Sequence, residues 1–153
     1  MPKETIRIGI DPDIDKSGVA MVIYTPFKKP VVSILKTMTF FELCRWIKRK
    51  HDGANEIGCL FNINIEAGWL NKKSNYHPAQ SKEIAARIGK NVGENHAIGK
   101  LIKLFCEENN IEFILYKPDS SKWDAKKLRI ITGYNGRTNQ EMRDAVRAAW
   151  IIK

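Results

Sequence analysis

The sequence predicts an α/β domain in which helices flank a five-stranded mixed sheet. Three observations carry that prediction. Short stretches with a two-residue period, such as Ile6–Ile10 and Leu60–Glu66, read as strands. Longer stretches with a period of about 3.6 residues, such as Glu83–Asn109, read as helices. Turn-forming residues separate the two kinds, and 153 residues suit one core and a single domain spanning residues 1–153.

In the first strand Ile6, Ile8 and Ile10 face one way and Arg7, Gly9 and Asp11 the other. Asp11–Gly18 (DPDIDKSG) is turn chemistry, and Val19–Tyr24 is the second strand. Thr25–Pro30 holds two prolines and a lysine pair and turns the chain again into a third strand, Val31–Thr37. Three strands joined by short turns make an antiparallel meander. The period then changes. Phe40, Leu43, Cys44 and Ile47 share a helical face, and the helix is expected to end in Lys48–Lys50 and Asp52-Gly53. Leu60–Glu66 is the fourth strand, with Phe61, Ile63 and Ile65 on one side and Asn62, Asn64 and Glu66 on the other.

Ala67–Lys82 is a polar loop of 16 residues, long enough to be a functional loop. A long helix follows over Glu83–Asn109, then a fifth strand at Glu112–Tyr116, a short helix at Asp124–Ile131 and a final helix at Gln140–Ile152. A strand that follows a helix tends to pair parallel to an earlier strand through a right-handed crossover. Strands four and five are therefore expected parallel to strand one. That places Asp11 and Glu66 at strand carboxyl ends, where open α/β sheets keep their sites.

Lys and Arg number 26 against 17 Asp and Glu, a formal charge of +9 that favours a polyanionic partner such as nucleic acid. A hydrophobic fraction of 43% excludes a disordered tail, and no apolar run is long enough to span a bilayer. No signal segment is expected at the start of the chain. Cys44, Cys59 and Cys106 are odd in number and widely spaced, and read as buried thiols in a reducing, cytoplasmic setting. Asp11, Asp13 and Asp15 imitate the start of a calcium loop, but Lys16 and Val22 occupy its glycine and glutamate positions. Gly93–Lys100 fails the phosphate-loop spacing, and His51, His77 and His96 share no ligand spacing.

Four acids stand out by position. Asp11 and Glu66 end strands, while Glu141 and Asp144 lie three apart on one face of the last helix. Like charges packed together resist ionisation unless a cation sits between them, and hard oxygen donors suit Mg²⁺ or Mn²⁺. Each acid also has a plainer role. Asp11-Pro12 starts a turn, Glu66 pairs with Lys72 or Lys73, Thr138-x-x-Glu141 forms a capping box, and Asp144 favours the helix dipole. Only convergence of the four distinguishes metal binding from these roles.

IGIDPDIDKSGVAMVIY resembles the first hairpin of RuvC-like nucleases of the ribonuclease H-like fold, whose first strand ends in a metal-binding Asp. INIEAGWL resembles their fourth strand, RIGKNVGENHAIGKLIKLF their long glycine-containing helix, and YKPDSSKW with TGYNGRTNQEMRDAVRAA their Pro/Lys segment and terminal acidic helix. The resemblance covers nearly the whole chain, in order. It implies a homodimeric resolvase that nicks two strands of a four-way (Holliday) junction, leaving 5′-phosphate and 3′-hydroxyl ends. It further implies Asp11, Glu66, Glu141 and Asp144 as ligands of two divalent ions, and Lys122 as a cation beside the transition state. Two departures stand out. Only Gly133–Asn139 joins the last two helices, where bacterial RuvC has a longer basic segment, and Glu141 stands where the family commonly has Asp or His. The shortened form resembles phage or mobile-element relatives.

Phosphate tracking is expected from Lys72, Lys73, Lys82, Lys90 and Lys126 or Lys127, and base stacking from Trp69. Arg137 and Arg143 are expected to pair with the acids or with DNA, and Gly89-x-x-x-Gly93 to let either a second protomer or the sheet approach closely. The competing functions are a nuclease of the same fold acting on RNA or RNA–DNA hybrids, and a non-catalytic DNA-binding module. An actin-like ATPase needs two such domains and glycine-rich phosphate loops, which 153 residues do not supply.

Overall fold

β-branched residues alternating with polar ones put nearly every predicted strand where the pattern places it. In the computed structural model, which describes residues 2–71 and 81–151, β1 (Thr5–Asp11), β2 (Ser17–Tyr24) and β3 (Val31–Met38) form the expected antiparallel meander. Helix α1 (Phe40–Ile57) crosses over to β4 (Leu60–Glu66), which lies parallel to β1. A single 3₁₀ turn at Gly68–Leu70 and the long helix α2 (Lys82–Glu108) lead to β5 (Phe113–Tyr116), parallel to β4. The chain closes with α3 (Ala125–Thr132) and α4 (Gln140–Ile151), and the sheet order is β3-β2-β1-β4-β5.

One boundary differs from expectation. α1 runs through Asp52-Gly53 and stops at Gly58, whose φ of 75° lets its N–H reach back to the carbonyls of Ala54 and Asn55. An internal glycine costs a helix only about 1 kcal/mol, and Ala54, 2% exposed, anchors the additional turn to the core.

The sheet is covered on both faces. Ile8, Ile10, Ile63 and Ile65 are fully buried against Leu43 and Ile47 of α1 and Ile98 and Ile102 of α2. Burial of each such side chain is worth roughly 1.5–3 kcal/mol. On the other face Ala20 packs with Trp123, Leu128, Ala145 and Val146. There α4 lies almost on the strands: a Cβ at Gly9 would overlap the Ala145 carbonyl, and one at Gly18 the Glu141 carbonyl. Hydrogen bonds fix its far end, with Asn64 Nδ2 donating to the Ala148 carbonyl at 2.9 Å and the Tyr24 hydroxyl to that of Ala149 at 2.6 Å. These bonds satisfy carbonyls that a helix end leaves without partners.

Only the carboxyl-terminal half of α2 is buried, through Ile98, Gly99, Ile102 and Cys106. Among the described residues, nothing lies within 4 Å of a Cβ placed at Gly89 or Gly93, so these glycines do not serve packing onto the sheet. Among the described residues, no helix is long and apolar enough to cross a membrane.

Candidate metal centre

Parallel pairing of β1 with β4 brings two strand ends together, and the close approach of α4 brings a third acid. Asp11, Glu66 and Asp144 each place a carboxylate oxygen within 4.8 Å of the other two. Asp11 is the last residue of β1 and Glu66 the last of β4, with Ile10 and Ile65 paired just before them. Asp144 is 7% exposed and sits at the first turns of α4, on the side that meets β1.

The electrostatics show strain among the three. Burial first, then the charges of Glu66 and Asp144, push the Asp11 carboxyl from 3.8 up to about 9. Burial likewise raises Glu66, with Lys122 opposing the shift and Asp144 adding to it. The Tyr116 hydroxyl donates to Glu66 Oε2 at 3.3 Å, and burial together with the three carboxylates drives its own pKa upward. Lys122 Nζ lies 2.7 Å from Asp144 Oδ2. Burial alone would lower the Lys122 pKa, but its hydrogen bond and ion pair with Asp144 raise it overall. One ammonium would not balance three ionised carboxylates, so full ionisation of the cluster leaves a charge deficit. A hard, oxygen-preferring divalent cation fits that deficit and these donors.

Gln140, one helical turn before Asp144, donates from Nε2 to Asp144 Oδ1 at 2.7 Å, so both Asp144 oxygens are held. Arg143 in turn donates to Gln140 Oε1 at 3.1 Å, to the Trp123 carbonyl at 2.9 Å and to Thr138 Oγ1 at 3.0 Å. Arg143 therefore pairs with neutral groups that tie α4 to the segment before α3, and of its two expected partners, the acids and DNA, the acids are not among its contacts. The sequence pattern did not single out Gln140 or Tyr116. Gln140 carries a signal in its i, i+4 spacing to Asp144. Tyr116 is found only once β5 is known to pair Tyr116 with Glu66.

Glu141 is not brought into the cluster. Three residues along a helix leave two side chains about 60° apart around the axis and about 4.5 Å apart along it, and Glu141 lines a different cavity, with Asp13, Asp15, Lys16, Thr37 and Asn139. Nor does it cap the helix. Asn139 is the capping residue, its Oδ1 accepting the Met142 N–H at 2.9 Å, while Thr138 Oγ1 is taken by Arg143. The expected Thr138–Glu141 box is one residue out of register with the real helix start.

Beside Asp11 and Glu66 a cavity of about 160 Å³ opens, walled by Trp69, Asn95 and His96. Trp69 is half-buried. Its six-membered ring packs on Gly99 and beside Pro12, its indole meets His96 edge-on at 6.2 Å, and Lys100 lies 6.0 Å from the ring centre. This packing makes it a wall of the cavity before it is a stacking surface. Asn95 Oδ1 accepts the Ile14 N–H at 2.9 Å, tying the β1–β2 loop to α2. Burial first, then Lys100, lowers the His96 pKa.

The other expected residues lie apart from the carboxylates. Lys82, Lys126, Lys127 and Arg137 are exposed, and Lys90 is exposed with Glu94 at 3.8 Å. Lys72 and Lys73 lie outside the described residues.

The sheet order β3-β2-β1-β4-β5, with β4 and β5 parallel to β1, is a fold shared with solved structures of RuvC. Thermus thermophilus RuvC has the same fold: its structure aligns over 94% of this chain and 90% of its own, with a TM-score of 0.54 and 15% identity. T. thermophilus RuvC in complex with Holliday junction substrate aligns over 95% and 90%, with a TM-score of 0.51 and 16% identity. No family model matches the chain, and no curated protein matches it significantly.

Proposed function

We propose that this chain is a divalent-metal-dependent DNA endonuclease that resolves four-way junctions by paired nicks, leaving 5′-phosphate and 3′-hydroxyl ends. The meeting of Asp11, Glu66 and Asp144 from β1, β4 and α4 carries the reading. Support for the substrate comes from the shared fold with a RuvC bound to a Holliday junction.

Asp11, Glu66 and Asp144 would hold two Mg²⁺ ions per site, with Mn²⁺ as a substitute. Bound there, such ions supply Lewis acidity that activates water and neutralises charge on the departing 3′-oxygen. The protein's own residues prepare the ligands. Gln140 and Lys122 fix the two oxygens of Asp144, and Tyr116 orients Glu66. Asp11 would give up its proton on becoming a ligand. The Lys122 side chain is 51% exposed, so its ammonium can meet a phosphate oxygen while still bonded to Asp144.

Lys82, Lys90, Lys126, Lys127 and Arg137, with Lys72 and Lys73, would follow the phosphate backbone. Trp69 would present its remaining surface to a base at the branch point. A homodimer would cover the exposed Leu101 and Leu104 of α2 together with Gly89 and Gly93.

Incubating wild type and Asp11→Asn with labelled four-way junction, duplex, flap and RNA–DNA hybrid in Mg²⁺ tests the reading. Paired nicks in opposed junction strands, lost in the variant, are expected. Cutting confined to the hybrid would transfer the activity to RNA. Equal inertness of both proteins on every substrate, with tight junction binding, would make the chain a binding module.

A further inference from the structure

The β3 edge of the sheet carries a second concentration of positive charge, away from the carboxylates. Lys36 of β3 and Arg45 and Arg49 of α1 line a groove of about 260 Å³, with the nearly buried ring of Trp46 as part of its wall. All three cations are exposed, and none makes a hydrogen bond or ion pair among the described residues. Arg45 and Arg49 are four apart on one face of α1, a like-charge spacing that is mildly unfavourable unless an anion sits between them.

The acid among the lining residues, Glu42, offsets one of the three charges and leaves the groove net positive. Its carboxylate accepts the Thr39 N–H at 2.8 Å, closing the start of α1. That backbone hydrogen bond holds the Glu42 carboxyl below its usual range, with Lys16 and Arg45 adding to the effect. Toward the β1 end the groove borders a second cavity, where Lys16 and Thr37 stand with Asp13, Asp15, Asn139 and Glu141, so the positive charge is confined to the groove itself.

Strand register sets the distance between groove and metal centre. Asp11 pairs with Gly18, and Gly18 pairs with Thr37, a residue lining the groove. Two strand spacings separate Asp11 from Thr37, about 10 Å.

We propose that the groove of Lys36, Arg45 and Arg49 grips the sugar–phosphate backbone of one arm of the DNA, away from the bond that is cut. The inference rests on the junction-nuclease reading above and adds to it a second contact on the opposite side of the sheet from α4. Two guanidinium groups suit it, because each offers paired donors to phosphate oxygens.

The test is equilibrium binding of a fluorescent four-way junction with long arms, without divalent metal, across a salt series. The neutral triple variant Lys36→Gln/Arg45→Gln/Arg49→Gln is compared with wild type and with the charge-keeping Lys36→Arg/Arg45→Lys/Arg49→Lys. Each phosphate contact contributes about 0.9 to the log–log salt slope. The neutral variant should therefore bind about tenfold or more weakly with a slope shallower by about 2 to 3, and the charge-keeping variant should stay near wild type. Unchanged affinity and slope in the neutral variant would overturn the groove while leaving the nuclease reading intact. Equal loss in both variants would overturn charge as its cause. Failure of wild type to bind the junction at all would instead remove the junction reading, and the groove's role with it.

Discussion

Lys122 and Asp144 meet across the rim of the carboxylate cluster, ammonium to carboxylate at 2.7 Å, although 22 residues separate them in the chain. The pair links the segment after β5 to α4 and supplies the cluster with a cation that is still half exposed. Removing the acid should therefore damage chemistry more than binding. Asp144→Asn is expected to lower junction cleavage by something on the order of 10²–10³-fold. Junction affinity should hold or rise, because carboxylate–phosphate repulsion falls. Single-turnover cleavage and equilibrium binding of one labelled junction check both, and an unchanged cleavage rate would remove Asp144 from the mechanism.

The raised Asp11 pKa fixes a pH dependence. Between 3.8 and about 9 the folded protein holds a proton on Asp11 that the unfolded chain has released. In this window the unfolded state binds fewer protons, so the contribution of this group to stability is greatest at acid pH and falls as pH rises toward 9. Asp11→Asn removes the penalty. Without metal at pH 8 the variant should melt above wild type, roughly 2–4 °C for each 1 kcal/mol recovered, and the gap should close near pH 4. Calorimetry at the two pH values checks it. Parallel pH profiles for the two proteins would mean that Asp11 is ionised in the metal-free fold.

Metal binding should release that proton. Titration of Mn²⁺ at pH 7 in buffers of different ionisation heat should show close to one proton released per site by wild type and none by Asp11→Asn.

Gln140 and Glu141 are neighbours with different expected effects. Gln140 bonds Asp144 directly, whereas Glu141 faces the β1–β2 loop. Gln140→Ala should weaken Mn²⁺ affinity or cleavage roughly 10–100-fold, the usual cost of removing the partner of a ligating group. Glu141→Gln should cost much less. Metal titration and cleavage rates rank the two, and the reverse order would restore Glu141 as a ligand.

The seat of α4 depends on two bare backbone positions. Gly9→Ala would drive a methyl into the Ala145 carbonyl, with the Ala149 amide only 2.9 Å away. Overpacking of this kind costs about 1–3 kcal/mol. A lower midpoint in urea, with cleavage reduced because Asp144 moves off the strands, is expected. Wild-type stability would show that α4 can retreat without loss.

The exposed apolar side of α2 predicts association. Leu101→Lys with Leu104→Lys should lower the sedimentation mass from dimer to monomer, and an unchanged mass would place any dimer contact elsewhere.

Strand and helix identities were legible in the sequence because hydrophobic period reports which side of each element is buried, and that is a local property. Asp11 and Glu66 were legible for the same reason: each ends a strand, and parallel crossovers put such ends together. Asp144 could be ranked only with Glu141, since a three-residue spacing says that two side chains share a helix face without saying which reaches the strands. Tertiary packing made that choice. Gly9 and Gly18 let α4 descend onto β1 and β2, Asn139 in place of Thr138 set its first turn, and Asp144 alone arrived beside Asp11 and Glu66. Among the partners of those acids, Lys122 was implied by the resemblance and Gln140 carried a spacing signal, whereas Tyr116 and the raised pKa of Asp11 were decided by the fold. Burial and distance between residues far apart in the chain create them, and no local pattern encodes either.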